Sequence, residues 1–248
     1  MKLLMIQIAS LLVSAVFLGC AKDLPVITPV TSAPTYPVVI APADTTSSTK
    51  TYTYLALGDS YTIGQSVNTN DRFPSQTVAL LAKNNIKVST PIYIATTGWT
   101  TTNLINAINA TSLTPPYDIV SLLIGVNDQY QMRDTTGYRQ RFSALLEKAI
   151  QLSGNRASRV FVISIPDYSV APYIPTSQKQ QVSKEIDMFN AINKDITEQR
   201  NISYTDITPG SRDAASNSAL IASDGLHPSG LEYSKWAMKL APKIKAAL

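Results

Sequence analysis

From residue 51 onward, short unbroken apolar runs alternate with longer stretches in which apolar residues recur every three or four positions. The short runs are Tyr52–Leu57, Val88–Ala95, Tyr117–Ile124, Arg159–Ile165 and Ile202–Thr205. The first is followed by Gly58, the third by Gly125 and the fourth by Pro166. Runs that are apolar on both faces suit strands buried between two layers. The periodic stretches predict helices from Phe73 to about Asn85, over Thr101–Ala110, around Phe142, Leu145, Leu146, Ala149 and Ile150, and along Val182, Ile186, Phe189, Ile192 and Ile196. A last helix is predicted over Leu231–Ala247, with Leu231, Trp236, Leu240 and Ile244 inward. Strands that alternate with helices predict an α/β fold: a five-stranded parallel sheet in a three-layer αβα sandwich. Ligands of such sheets bind at the carboxyl ends of the strands, so residues that do chemistry should lie just after them.

The first fifty residues follow a different pattern. Met1-Lys2 precedes an apolar stretch, Leu3–Leu18, broken only by Gln7, Ser10 and Ser14. It is too short for a permanent span and reads as an export signal over residues 1–19. It ends in Phe17-Leu18-Gly19-Cys20, which resembles a bacterial lipobox with Phe17 where leucine is expected. Ordinary signal cleavage after Ala21 is the alternative. The expected product is an exported lipoprotein anchored to a membrane through Cys20. Residues 20–50, with Pro25, Pro29, Pro34, Pro37 and Pro42, would be a linker, and residues 51–248 the folded domain.

Composition then narrows the chemistry. The net charge is +4, but the basic residues are scattered and form no stripe, which argues against a nucleic-acid partner. One histidine, His227, and one cysteine, Cys20, exclude multi-histidine zinc sites, cysteine-ligated metals, CxxC pairs and disulfide frameworks. No GxGxxG or P-loop pattern occurs, and no GxSxG elbow. What remains open is chemistry that needs one imidazole at most, and no cofactor is implied.

Four short motifs fall at or near strand ends: Gly58-Asp59-Ser60, Gly98 within Thr96-Thr97-Gly98-Trp99, Gly125-Val126-Asn127-Asp128, and Asp224-Gly225-Leu226-His227-Pro228. Their order and residue types resemble the SGNH/GDSL hydrolase family over about residues 52–248. The resemblance implies a flavodoxin-like hydrolase domain and a lipase- or esterase-like activity. Its substrates would be lysophospholipids, simple acyl or aryl esters, or acetylated carbohydrates.

The residues themselves support the same chemistry. A serine hydroxyl is a poor nucleophile until a base takes its proton, and His227 is the single imidazole available to act on Ser60. Asp224, three residues earlier, is close enough to orient that ring, with Asp167 and Asp206 as competitors. The Ser60 and Gly98 N–H groups and the Asn127 amide are candidate oxyanion donors. Asp59 and Asp128 are expected to brace loops, while Trp99 and Tyr173 are candidates for the substrate pocket or for packing. A ligand-binding lipoprotein without turnover is the competing function.

Overall fold

The computed structural model describes residues 50–248; the signal, lipobox and linker expectations for residues 1–49 lie outside the described residues. The strands are β1 (Tyr54–Gly58), β2 (Ile92–Ala95), β3 (Ile119–Leu123), β4 (Val160–Ile163) and β5 (Ser203–Thr205). They pair in the order β2-β1-β3-β4-β5, all parallel. The helices are α1 (Ser60–Ile63), α2 (Phe73–Ala82), α3 (Thr101–Ala110), α4 (Val126–Gln131), α5 (Thr135–Leu152), α6 (Thr176–Gln199), α7 (Thr208–Ser211) and α8 (Gly230–Ala247). Helices α2 and α8 pack together on one face of the sheet, while α5 packs between α3 and α6 on the other. The predicted three-layer sandwich is therefore the observed fold, with the 2-1-3-4-5 strand order of flavodoxin-like sheets.

Every residue of β1, β3 and β4 is buried, as expected for strands covered on both faces. Phe142, Leu145 and Leu146 of α5, Ile186 and Phe189 of α6, and Trp236, Leu240 and Ile244 of α8 complete the core. Three expectations change. The second strand starts at Ile92 rather than Val88, which makes only an isolated bridge with Tyr52. Pro91 lies between them, and proline has no N–H to give a ladder. Helix α2 stops at Ala82, and Asn85 beyond it has left-handed backbone, φ 59°. Leu231 points to solvent at 53% exposure. Stepping back one turn from Trp236 reaches Glu232, which is buried and accepts a bond from Trp236 Nε1 at 2.8 Å.

Gly58 closes β1 where the chain turns beneath α1. A Cβ there would collide with the Thr62 hydroxyl and with the backbone carbonyl of Leu123 on β3, which cannot swing away. Gly58→Ala is expected to lower stability by about 1–3 kcal/mol, read as a fall in the urea midpoint at unchanged slope.

Candidate active site

The sequence leads one to expect Asp59 to brace a loop after β1. Instead Ser60 is the first residue of the short helix α1, too brief to leave a periodic trace in sequence. Asp59 caps that helix by accepting the Tyr61 N–H at 3.0 Å. This fixes Ser60 against the end of β1, with only 4% of its surface exposed.

Asn127 and Asp128 also lie on a helix, α4, rather than in a turn. From it three side chains grip the loop after β2. Asn127 Nδ2 donates to the Trp99 carbonyl at 3.0 Å, and Gln131 Nε2 donates to the Gly98 carbonyl at 3.1 Å. Buried Asp128 accepts from the Thr101 N–H at 2.8 Å and its hydroxyl at 2.6 Å, at the start of α3. With its carbonyl held, Gly98 leaves its N–H without a hydrogen-bond partner among the described residues. Gly98 has φ 84°, a region open to glycine, and a Cβ there would stand in open space. The bracing expected of Asp59 and Asp128 is what the structure places there.

On the opposite side, the loop before α8 carries the imidazole. His227 Nδ1 and Asp224 Oδ2 are 2.6 Å apart. Asp224 Oδ1 accepts the backbone N–H groups of Leu226 and His227, each at 2.9 Å. Ser66, which carried no signal in the sequence, donates its hydroxyl to Asp224 Oδ2 at 2.6 Å. Partial burial acts to raise the Asp224 carboxyl, but these four bonds outweigh it and hold the group well below the ordinary carboxylate range. Tyr61 stands edge-on to the imidazole with ring centroids 5.8 Å apart. The competing carboxylates are engaged elsewhere. Asp167 binds Ser183, Arg212 and the Ser169 N–H, and Asp206 binds Ser164 and the Thr208 N–H.

Ser60, Gly98, Asn127 and His227 all line one cavity of about 210 Å³. Its remaining walls are Tyr61, Thr97, Val126, Tyr130, Tyr168, Tyr173, Ile174 and Leu226. Tyr173 is thus a wall residue, as one of its two readings had it. Trp99 is not among these walls: its half-buried side chain packs against the hydrophobic core, and its carbonyl accepts from Asn127. Ser60 and His227 form no direct hydrogen bond in this structure, and such contacts commonly tighten only around substrate.

Asp59 is fully buried, and desolvation, the largest effect, raises its carboxyl from 3.8 to about 8, against the lowering Tyr61 N–H bond. A folded chain that holds a proton the unfolded chain releases is most stable below the lower value. That stability is lost as pH climbs through the upper one. Thermal melts of the wild type should therefore fall from about pH 4 to about pH 8 and level off above it. Asp59→Asn keeps the acceptor for the Tyr61 N–H without the charge, and should flatten that decline.

Comparison with known proteins bears on the family and the fold. The model of the GDSL-like lipase/acylhydrolase family matches residues 56–233. No curated protein matches the chain. Among solved structures, TesA is similar at 17% identity and TM-score 0.60, over 79% of this chain and 99% of that one. The psychrotrophic esterase EstA from Pseudoalteromonas sp., in a form inhibited by monoethylphosphonate, is similar at 19% identity and TM-score 0.60, over 79% and 97% of the two chains. Axe2, an acetyl xylan esterase from Geobacillus stearothermophilus, is similar at 18% identity and TM-score 0.58, over 78% and 94%. At such identities the likeness speaks for the fold, whereas the family match covers most of the described domain. The chain belongs to the GDSL-like lipase/acylhydrolase family and is an ester-bond hydrolase.

Proposed function

We propose that the chain hydrolyses carboxylic esters through a Ser60–His227–Asp224 triad, with an oxyanion hole formed by the Ser60 and Gly98 N–H groups and the Asn127 amide. The observation that carries this reading is the 2.6 Å His227–Asp224 contact at the rim of the cavity that also holds Ser60, Gly98 and Asn127. Asp224 accepts the Nδ1 proton, which leaves Nε2 as the basic nitrogen. His227 takes the Ser60 proton while Oγ bonds to the carbonyl carbon, and the carbonyl oxygen becomes an anion facing the three donors. Collapse breaks the bond to the alcohol oxygen, which leaves with the proton from His227. Water, deprotonated by the same imidazole, then attacks the acyl-Ser60 ester, and the acid departs as Ser60 recovers its proton.

The cavity walls bear on substrate. They contain no lysine, arginine, aspartate or glutamate, so they suit an ester uncharged around its carbonyl. A lysophospholipid fits only with its headgroup held outside these walls, the lipase-like reading. Tyr130 and Tyr173, 64% and 67% exposed, offer two ring faces at the mouth. Those rings favour a second reading, an O-acetylated carbohydrate whose sugar stacks on tyrosine while its acetyl group enters, and an acetyl xylan esterase shares the fold. A binder without turnover would have no use for the paired His227 and Asp224.

Purified enzyme should hydrolyse p-nitrophenyl acetate and be labelled at Ser60 by a fluorophosphonate, and Ser60→Ala should lose both; label and turnover absent from the wild type would sink the esterase reading. Asn127→Ala should cut kcat by about 10²–10³, the cost of one oxyanion donor, with its melting temperature little changed. In a panel of acetylated oligosaccharides, short acyl esters and a lysophospholipid, the first should give the highest kcat/KM; a lysophospholipid preference would restore the lipase-like reading.

Export and a lipid anchor at Cys20 complete the proposal, supported by the position of the chain's one cysteine directly after Phe17-Leu18-Gly19. Cys20→Ala should move the protein from the detergent phase to the aqueous phase on Triton X-114 partitioning; unchanged partitioning contradicts the anchor.

A further inference from the structure

The proposed chemistry needs Asp224 to hold the His227 ring in one orientation, yet Asp224 lies on a surface loop with its side chain 30% exposed. Two of its bonds come from its own loop, the Leu226 and His227 N–H groups on Oδ1. Those alone leave Oδ2 open to water beside the imidazole. Beside the imidazole, a further donor comes from 158 residues earlier in the chain, since Ser66 Oγ reaches the same Oδ2 at 2.6 Å. Ser66 holds an unusual backbone to do this, φ 66°, in the left-handed region that non-glycine residues avoid at some energetic cost. The residue before it is equally committed. Gln65 donates its N–H to the Ser60 carbonyl at 3.0 Å, and its side-chain carbonyl accepts the Thr97 hydroxyl at 2.7 Å, next to Gly98. Consecutive residues just past the nucleophile's helix thus reach the oxyanion loop on one side and the acid–base loop on the other.

We propose that Ser66 is a positioning residue for ester hydrolysis: its hydroxyl fixes the plane of the Asp224 carboxylate, and through it the His227 ring, relative to Ser60. The inference rests on the Ser60–His227–Asp224 reading. Backbone strain at an exposed position persists only where surrounding contacts enforce it, and here the enforcing contact is to the carboxylate that orients the base. Ser66 also shares Oδ2 with the imidazole, so it draws off part of the negative charge that would favour the imidazolium. The other titratable groups facing the pair are Tyr61, edge-on to the ring, and Tyr233, both buried phenols raised well above their ordinary value by desolvation. His227 is the one basic side chain paired with Asp224 among the described residues, and no lysine or arginine described there joins it.

Two variants separate positioning from folding. Ser66→Gly removes the hydroxyl and relaxes the left-handed backbone, so the domain should fold at least as well. Ser66→Asn keeps a residue that tolerates that backbone and restores a side-chain N–H donor. With p-nitrophenyl acetate, Ser66→Gly should lower kcat about tenfold, as expected for a hydrogen bond to a charged group, with KM little changed. The acidic limb of its kcat/KM profile should move to higher pH, and Ser66→Asn should recover most of both changes. Wild-type kcat and profile in Ser66→Gly would overturn the proposal. So would a loss that Ser66→Asn leaves unrepaired. Ser60→Ala, assayed alongside, tells the two failures apart: if it is inactive while Ser66→Gly is unaffected, only the positioning role falls. If Ser60→Ala still turns over, the triad and the role built on it fall together.

Discussion

The site exists because the sheet changes direction at β1. From β1 the chain crosses to β2 on one side, then returns across β1 to place β3 on the other, and each later strand adds outward from there. Right-handed crossovers put α2 and α3 on opposite faces, so the loops leaving β1 and β3 diverge and open a crevice above the sheet. Ser60 follows β1, Gly98 follows β2 and Asn127 follows β3, so each reaches that crevice from the carboxyl end of a neighbouring strand. Gly58 keeps the crevice tight, because its missing side chain lets the turn under Ser60 close against the Leu123 carbonyl of β3.

Buried polar contacts then convert that placement into a fixed geometry. Asn127, Asp128 and Gln131 project from one short helix onto residues 98–101, so the loop after β2 is tied to α4. Helix α4 is anchored in turn by Gln129, which donates to buried Glu185 on α6 and accepts the Tyr168 hydroxyl at 2.8 Å. A buried carboxylate or amide with its partners in place is costly to displace, since any shift leaves a desolvated group unpaired. The polar network under the cavity therefore acts as a rigid mount rather than as a source of net stability.

How much of this was legible in the sequence depended on length and on partner distance. Five apolar runs and the long helices showed their periodicity, and the four motifs fell where a parallel sheet puts ligands. Helices α1 and α4 have four and six residues, too few for a 3.6-residue period to register, so the motifs of Ser60 and Asn127 read only as segments that follow a strand. Trp99 reads from sequence as a candidate for the pocket or for packing, and the fold packs its half-buried side chain against the core with its carbonyl toward Asn127. Leu231 reads as inward because four apolar residues share a loose spacing; the helix instead buries Glu232, whose carboxylate is paired with Trp236. Ser66 lies 158 residues from its partner in a polar segment, and no local pattern announces a contact of that range.

The two halves of the site are held by different kinds of force, and this bears on which half is adaptable. Ser60 and Asn127 rest on short helices that follow buried strands, and the Gly98 loop is held from one of them. His227 and Asp224 ride a surface loop pinned by a few specific bonds: Ala222 N–H to the His227 carbonyl at 2.7 Å, Ser229 N–H to the Leu220 carbonyl at 2.9 Å, and the Ser66 hydroxyl. Tyr173 joins this second group, since its N–H bonds the Gly225 carbonyl at 3.2 Å, between the acid and the base. The exposed ring at the cavity mouth and the imidazole inside it therefore share one support. A substrate that shifts Tyr173 pulls on the loop that carries His227, which under the proposed mechanism couples what the mouth accepts to how the imidazole is held. Substitutions at the mouth should accordingly change kcat together with KM, unlike changes confined to the apolar wall of Val126 and Ile174.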